Sequence, residues 1–275
     1  MLVDLHVHTT ASDGTFSPKE AVEAAHEKKL GAIAITDHDT LAGIPQAREE
    51  GRKLGVEVIG GVELGCDLGH RELHILGYLF READPVLTGK LSSLAQGRTR
   101  RGREIVEKLH SLGIPLPWED VAALAGDGTV GRLHIARALL RGGWAQSHNE
   151  AFAKFLNPGR PAYVPRMRLL PTDAIELIHN AGGVAVLAHP KLANSDKLIP
   201  QLRDAGLDGV EVYHTRHSWQ DVAKYSKIAR ELGLLMTGGS DCHGPGGKSE
   251  VLMGQILVPG ECLAALRARA AAIGG

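Results

Sequence analysis

The sequence predicts an α/β barrel, distorted or incomplete, interrupted by a helical subdomain. Three observations carry this reading. Strand patterns alternate with helical ones over residues 1–84 and again over 160–275, the arrangement of a parallel sheet covered on both faces. Between them, residues 85–159 hold successive helical stretches with no convincing strand, too long for a simple connection. Nearly every predicted strand also ends in a histidine or carboxylate, where α/β barrels assemble their active sites.

The elements follow in order. Val3, Leu5 and Val7 alternate with Asp4, His6 and His8, the period of a strand. Ser17-Pro18-Lys19-Glu20 opens a helix, with Ser17 as N-cap and Glu20 closing a capping box, and Gly31 ends it. Ala32–Thr36 is a short apolar strand. A helix runs from about Leu41 to Leu54, and strands are expected near Val56–Leu64 and Leu73–Leu79. The helical segment reads as Leu87–Leu112, Trp118–Leu124, Arg132–Leu140 and Asn149–Leu156. Strands return at Gly183–Ala188, Gly209–Tyr213 and Leu234–Thr237, and a last helix lies near Cys262–Ala272.

Composition bounds the function. A chain of 275 residues, 43% hydrophobic and 23% charged, suits a soluble fold with one large core. An aromatic content of 4% argues against a stacking platform for single-stranded nucleic acid. A net charge of −1 supplies no global basic field, so a short or mononucleotide ligand fits better than a long polyanion. Cys66, Cys242 and Cys262 are sparse and lack CxxC spacing, as expected in a reducing compartment. No apolar run approaches transmembrane length and no charged leader is evident, so a cytoplasmic location with no membrane partner is expected. The sequence points to no obligate protein partner.

The strand ends carry His6 and His8, then Asp37-His38-Asp39, Glu63 and His74. The later strands end in His189, in Glu211 with Tyr213-His214 beside it, and in Asp241-Cys242-His243. His6 and His8 stand two apart on a strand and face the same side, so together they can hold one ion. Mixed imidazole and carboxylate donors suit Zn, Mn or Fe, and a carboxylate such as Glu63 can bridge two ions.

His6-Val7-His8 with Asp13, Thr36-Asp37-His38, Ala188-His189-Pro190 and Ser240-Asp241-Cys242-His243 resemble, in order and spacing, the four motifs of the polymerase-and-histidinol-phosphatase (PHP) family. Gly61-Val62-Glu63-Leu64 and His74-Ile75-Leu76-Gly77-Tyr78 match its intervening ligand positions. The resemblance implies a distorted (β/α)₇ barrel of TIM type and two or three divalent ions. It assigns one ion to His6, His8, Glu63 and Asp241, a second to Asp13, His38 and His243, and a third to Glu63, His74 and His189. Family members differ at the position of Asp13, where some have histidine. A carboxylate there favours a harder ion such as Mn or Mg over Zn, with Mn the first expectation. The implied chemistry is hydrolysis of a phosphoester by water acidified at the ions. The resemblance implies Glu63 and Asp241 as ligands, and protonation of the leaving group is expected from His189 or from a water on the third ion. Asp37 and Asp39 are expected to orient neighbouring histidines.

Substrate contacts are expected from the helical segment. Arg98 and Arg101 lie three apart on one helix face and could grip a second phosphate. Gly131-Arg132-Leu133-His134 opens a helix, a natural anion site, which makes Arg132 and His134 candidates. Lys191 and His217 complete the set, whereas His26, His110 and His179 read as surface or packing residues and His70 and His148 as loop residues. Gly131-Arg-Leu-His-Ile-Ala with Asn157-Pro-Gly-Arg-Pro-Ala-Tyr-Val164 is similar to the family branch acting on nucleotides. That branch includes 3′,5′-nucleoside bisphosphate phosphatases and enzymes trimming short RNA from its 5′ end. The expected substrate is therefore a phosphomonoester of a small nucleotide. The alternatives are a short-RNA 5′→3′ exonuclease, a histidinol-phosphatase-like enzyme, a metal-dependent amidohydrolase and a non-catalytic metal-binding module.

Overall fold

The period-2 run at the N-terminus forms β1 (Leu2–Val7), whose interior residues are all buried. The structure, a computed structural model, describes residues 1–68, 71–165, 167, 169–246 and 253–274; His70 lies outside them. The capping box at Ser17 and Glu20 opens α1 (Pro18–Glu27) as the sequence predicts. β2 (Ala32–Ile35) and α2 (Ile44–Leu54) follow, and β3 (Glu57–Leu68) runs four residues past its expected end.

β1, β2 and β3 are parallel, but β4 (Arg71–Tyr78) turns back antiparallel on β3. The expectation of a parallel sheet fails here for a simple reason. Only residues 69 and 70 separate the two strands, whereas a parallel return needs a crossover of about a dozen residues or more. β5 (Val184–Leu187), β6 (Gly209–His214) and β7 (Leu235–Gly239) are again parallel to one another, and β5 pairs antiparallel with β4. The seven strands read from the sequence are joined by β8 (Val258–Pro259), a two-residue strand on the outer side of β1. The sheet nearly closes into a barrel where the Asp241 amide donates to His6 O at 3.0 Å and the His8 amide to Cys242 O at 2.9 Å.

The hairpin decides where the helical segment goes. β4 runs down the barrel, so α3 (Pro85–Ser111) starts at the far end and climbs back, about 40 Å at ~1.5 Å per residue. Its first turns bury Leu87, Leu91 and Leu94 against the barrel core beside Ile75 and Ile178. Its last turns bury Ile105, Val106 and Leu109 in a separate core with α4 (Trp118–Ala125) and α5 (Arg132–Arg141). Arg98 and Arg101 sit between the two cores, at the height of the strand ends. A short α6 (His148–Ala151) and a π-helical turn (Phe152–Leu156) close this helical core. α7 (Pro171–Asn180), α8 (Ile199–Asp204), α9 (Trp219–Leu232) and α10 (Gly260–Gly274) complete the chain. Among the described residues no helix is long and apolar enough to cross a membrane.

Candidate metal centre

All nine residues expected to ligate metal converge at one end of the barrel. Glu63 is the hub. Its Oε2 lies 3.4 Å from His6 Nε2, 3.1 Å from His8 Nε2 and 3.2 Å from His38 Nδ1. Its Oε1 lies 2.6 Å from His74 Nδ1 and 3.1 Å from His189 Nε2. Asp241 Oδ1 stands 3.6 Å from His6 Nε2 and 3.3 Å from His8 Nε2. His8, Asp13, His38 and His243 form a further group, so the donor atoms gather into four overlapping sets that could each hold an ion.

The residues fit cations on their own chemistry. His243 Nδ1 donates to Asp241 O at 2.9 Å, which leaves the lone pair on Nε2. That lone pair lies 3.3 Å from Asp13 Oδ1. Two electron-rich atoms at this distance repel unless a proton or a cation sits between them. His38 Nδ1 and His243 Nε2 are also buried without a hydrogen-bond partner among the described residues. Burial drives the His38 imidazole well below its usual range, so it offers a lone pair rather than a charge. Burial opposes protonation of His6 as well. The Glu211, Glu63 and Asp241 carboxylates outweigh it and hold that ring well above its usual value. His8 is pushed up to about 9, burial being overcome by its hydrogen bonds to Asp241 and Glu63. In the absence of ions, protons thus neutralise part of the buried negative charge, and a cation would displace them.

The backbone is shaped for this gathering. His189 and Asp241 adopt positive φ, 26° and 54°, a conformation side chains other than glycine rarely take. Gly239 packs so closely on His6 that a Cβ there would lie 2.3 Å from His6 Cβ, which accounts for the glycine at the end of β7.

Beside the cluster lies a cleft lined by Asp13, His38 and His74 from the barrel and by Arg98, Arg101, Arg132 and Phe152 from the helical segment. Arg132 Nη2 donates to Glu72 Oε2 at 2.9 Å. Arg101 is almost fully buried, its Nε donating to Val164 O at 2.7 Å. Burial chiefly, with a smaller push from the neighbouring Arg132 and Arg98, depresses it to about 9. Arg98 is paired with Asp39, so part of its charge is spent within the protein.

Several expected roles change. Asp39 grips Arg98 instead of a histidine. Asp37 accepts from Thr9 N at 2.7 Å, Thr9 Oγ1 at 2.7 Å and Ser12 Oγ at 2.5 Å, tying down the loop after β1. His134 is buried and takes the Gly131 amide on Nδ1 at 3.1 Å, capping α5 rather than facing the cleft. Lys191 pairs with Asp221 at the surface. His217 is buried with its ring 5.0 Å from that of Tyr225, and neither residue lines the cleft. His189 does not line this cleft; its Nε2 lies against Glu63 at 3.1 Å, inside the cluster. His110 bonds to Leu116 O and His179 to Asp208, in keeping with packing roles. The sequence reading placed Glu211 at a strand end without a role. The structure shows it buried beside His6, and its signal was the strand-end position it shares with His214.

Comparison with known proteins agrees with this geometry. The PHP domain matches residues 4–157. The 5′-3′ exoribonuclease Rnm of Salmonella typhimurium is 38% identical over 89% of this chain and 86% of its own length. The 3′,5′-nucleoside bisphosphate phosphatase of Chromobacterium violaceum is 33% identical over 89% of this chain and 88% of its own. A solved structure from Bifidobacterium adolescentis, assigned to the metal-dependent phosphoesterases, superposes with a TM-score of 0.90 at 31% identity, covering 97% of this chain and 96% of that one. Matched over most of its length in sequence and in fold, the chain belongs to the PHP domain family.

Proposed function

We propose that this hydrolase removes a phosphate monoester from a small nucleotide, a 3′,5′-nucleoside bisphosphate being the best-fitting substrate. The carrying observation is the composition of one cleft: Arg98, Arg101 and Arg132 line the same space as Asp13, His38 and His74. A substrate with two phosphates can place one at the cluster and the other among the arginines, where its charge would offset the mutual repulsion of Arg98, Arg101 and Arg132. The helical segment, residues 85–159, supplies this second contact and the barrel the first.

His6, His8, Glu63 and Asp241 would hold one ion, Asp13, His38 and His243 a second, and Glu63, His74 and His189 a third, with Mn²⁺ favoured by the carboxylates. Divalent ions held there supply acidity to a water molecule and positive charge to the phosphate oxygens. Glu63 joins the groups through its two oxygens, Asp241 sits against His6 and His8, and the arginine wall orients the substrate. The Rnm relative points to a second reading, trimming of short RNA, which shares the cluster and differs in whether a chain extends beyond the scissile phosphate. Product release from 3′,5′-bisphosphoadenosine and from a short 5′-phosphorylated RNA, side by side with Mn²⁺, separates the two. Phosphate from the bisphosphate supports the proposal. Mononucleotides from the RNA alone would replace it with the exonuclease.

A further inference from the structure

β6 carries none of the nine residues assigned to metal, yet it is as buried as the strands that do. Two of its side chains explain this. Glu211 and His214 stand three residues apart, so a regular strand would turn them to opposite faces. The pairing of β6 with β7 slips between Glu211 and Tyr213, and this irregularity lets both side chains be fully buried on the cluster side.

Glu211 divides its two oxygens. Oε1 lies 3.1 Å from His6 Nδ1, and Oε2 accepts the His189 main-chain amide at 2.8 Å. With Nδ1–H committed to a carboxylate, His6 presents Nε2 beside Glu63 and Asp241, where a cation that displaced its second proton would find the lone pair. The second bond pins the amide of a residue whose φ of 26° is unfavourable without support. His214 works on the opposite side. Its Nδ1 accepts from the Arg216 amide at 3.0 Å, which puts the proton of the neutral ring on Nε2, 3.8 Å from Asp241 Oδ2. Its ring lies 5.6 Å from that of His189 and 6.4 Å from that of His6.

We infer that Glu211 is a positioning residue for the metal centre, fixing His6 and His189 without itself touching an ion, with His214 in the same role towards Asp241. The inference rests on the metal-binding reading of the cluster. Glutamine in place of Glu211 has nearly the same size but a single acceptor oxygen, so it can serve His6 or His189 but not both.

The test is calorimetric titration of Mn²⁺ into the stripped full-length protein, for the wild type, Glu211→Gln and His214→Phe, with melting temperatures recorded in chelator. Glu211→Gln should fold, melt in chelator close to the wild type, and bind Mn²⁺ about 10–100-fold more weakly. His214→Phe should show a smaller loss, and Glu211→Asp, which restores two acceptors, should recover part of the affinity. Binding within twofold of the wild type in folded Glu211→Gln overturns the inference. Failure of both Glu211→Gln and His214→Phe to fold in chelator also overturns it, because the role would then be structural. Should Glu211→Gln alone fail to fold, unchanged Mn²⁺ affinity in His214→Phe does the same, and weakened affinity there supports it. A wild type that binds no Mn²⁺ removes the metal-binding reading itself, a result distinguishable from all of these.

Discussion

Glu63 on β3 and His74 on β4 meet at 2.6 Å although they are not directly opposed across the hairpin. Glu63 pairs with Leu76 and His74 with Gly65, so the two side chains are diagonal neighbours on one face. A strand delivered by a parallel crossover would have arrived from the other end. The antiparallel turn therefore does two things at once: it brings His74 to the hub carboxylate, and it sends α3 back up the barrel with its arginines.

Asp241 Oδ1 lies within 3.6 Å of three histidines of the cluster, His6, His8 and His243, and the residue is held in positive φ. Asp241→Ala should lower bound metal and reduce kcat by about 10³-fold, the equivalent of several kcal/mol of charge stabilisation. Elemental analysis beside a phosphate-release assay checks it. Unchanged metal content would remove Asp241 from the ligand set.

Arg132 lines the cleft from the first turn of α5. Arg132→Gln should raise KM for a nucleoside bisphosphate about 10-fold or more, as expected for one charge-assisted hydrogen bond. The KM for p-nitrophenyl phosphate, which has no second phosphate, should change little. Equal effects on the two substrates would dismiss the second contact.

Burial holds His134 at about 4, well under the 6.5 usual for histidine. The folded protein resists the proton that the unfolded chain accepts. The contribution of this residue is therefore complete above pH 6.5 and lost as pH falls towards 4, by at most about 3 kcal/mol at ~1.36 kcal/mol per unit. His134→Gln retains an acceptor for the Gly131 amide, glutamine being a regular capping-box residue at this position. Melting temperatures between pH 7 and 4 should fall less steeply in the variant, and parallel curves would contradict the assignment.

Asp37→Ala leaves the Thr9 amide, Thr9 Oγ1 and Ser12 Oγ without their acceptor in a buried loop. The expected cost is about 3–5 kcal/mol of stability, three hydrogen bonds plus the burial of unpaired donors. Denaturant unfolding measures it, and a loss under about 1 kcal/mol would mean that the loop is held by other contacts.

The gathering of histidines and carboxylates at one end of the barrel was legible because most of these residues are tied to strand ends. His6 and His8 announce a face by their spacing, and Asp241-Cys242-His243 follows an apolar strand whose end is evident. What escaped the sequence depended on pairing across long separations. Glu211 and His214 read as strand-end groups three residues apart, on opposite faces of a regular strand, until the irregularity in β6 brings both to the cluster. Asp39 stands next to His38 in sequence, yet Arg98, 59 residues away, claims it. His134 opens a helix as expected, but its ring folds back onto the Gly131 amide, a choice that depends on the buried surroundings of α5. The hairpin was open to inference from the gap between the two expected strands, since residues 65–72 are too few for a parallel crossover.

The most direct test of the account is phosphate release from a nucleoside 3′,5′-bisphosphate by protein stripped with chelator and then titrated with Mn²⁺. The account predicts no release from the stripped protein and recovery complete at two or three equivalents of ion. Release that survives exhaustive stripping, or that never returns with Mn²⁺, would contradict it.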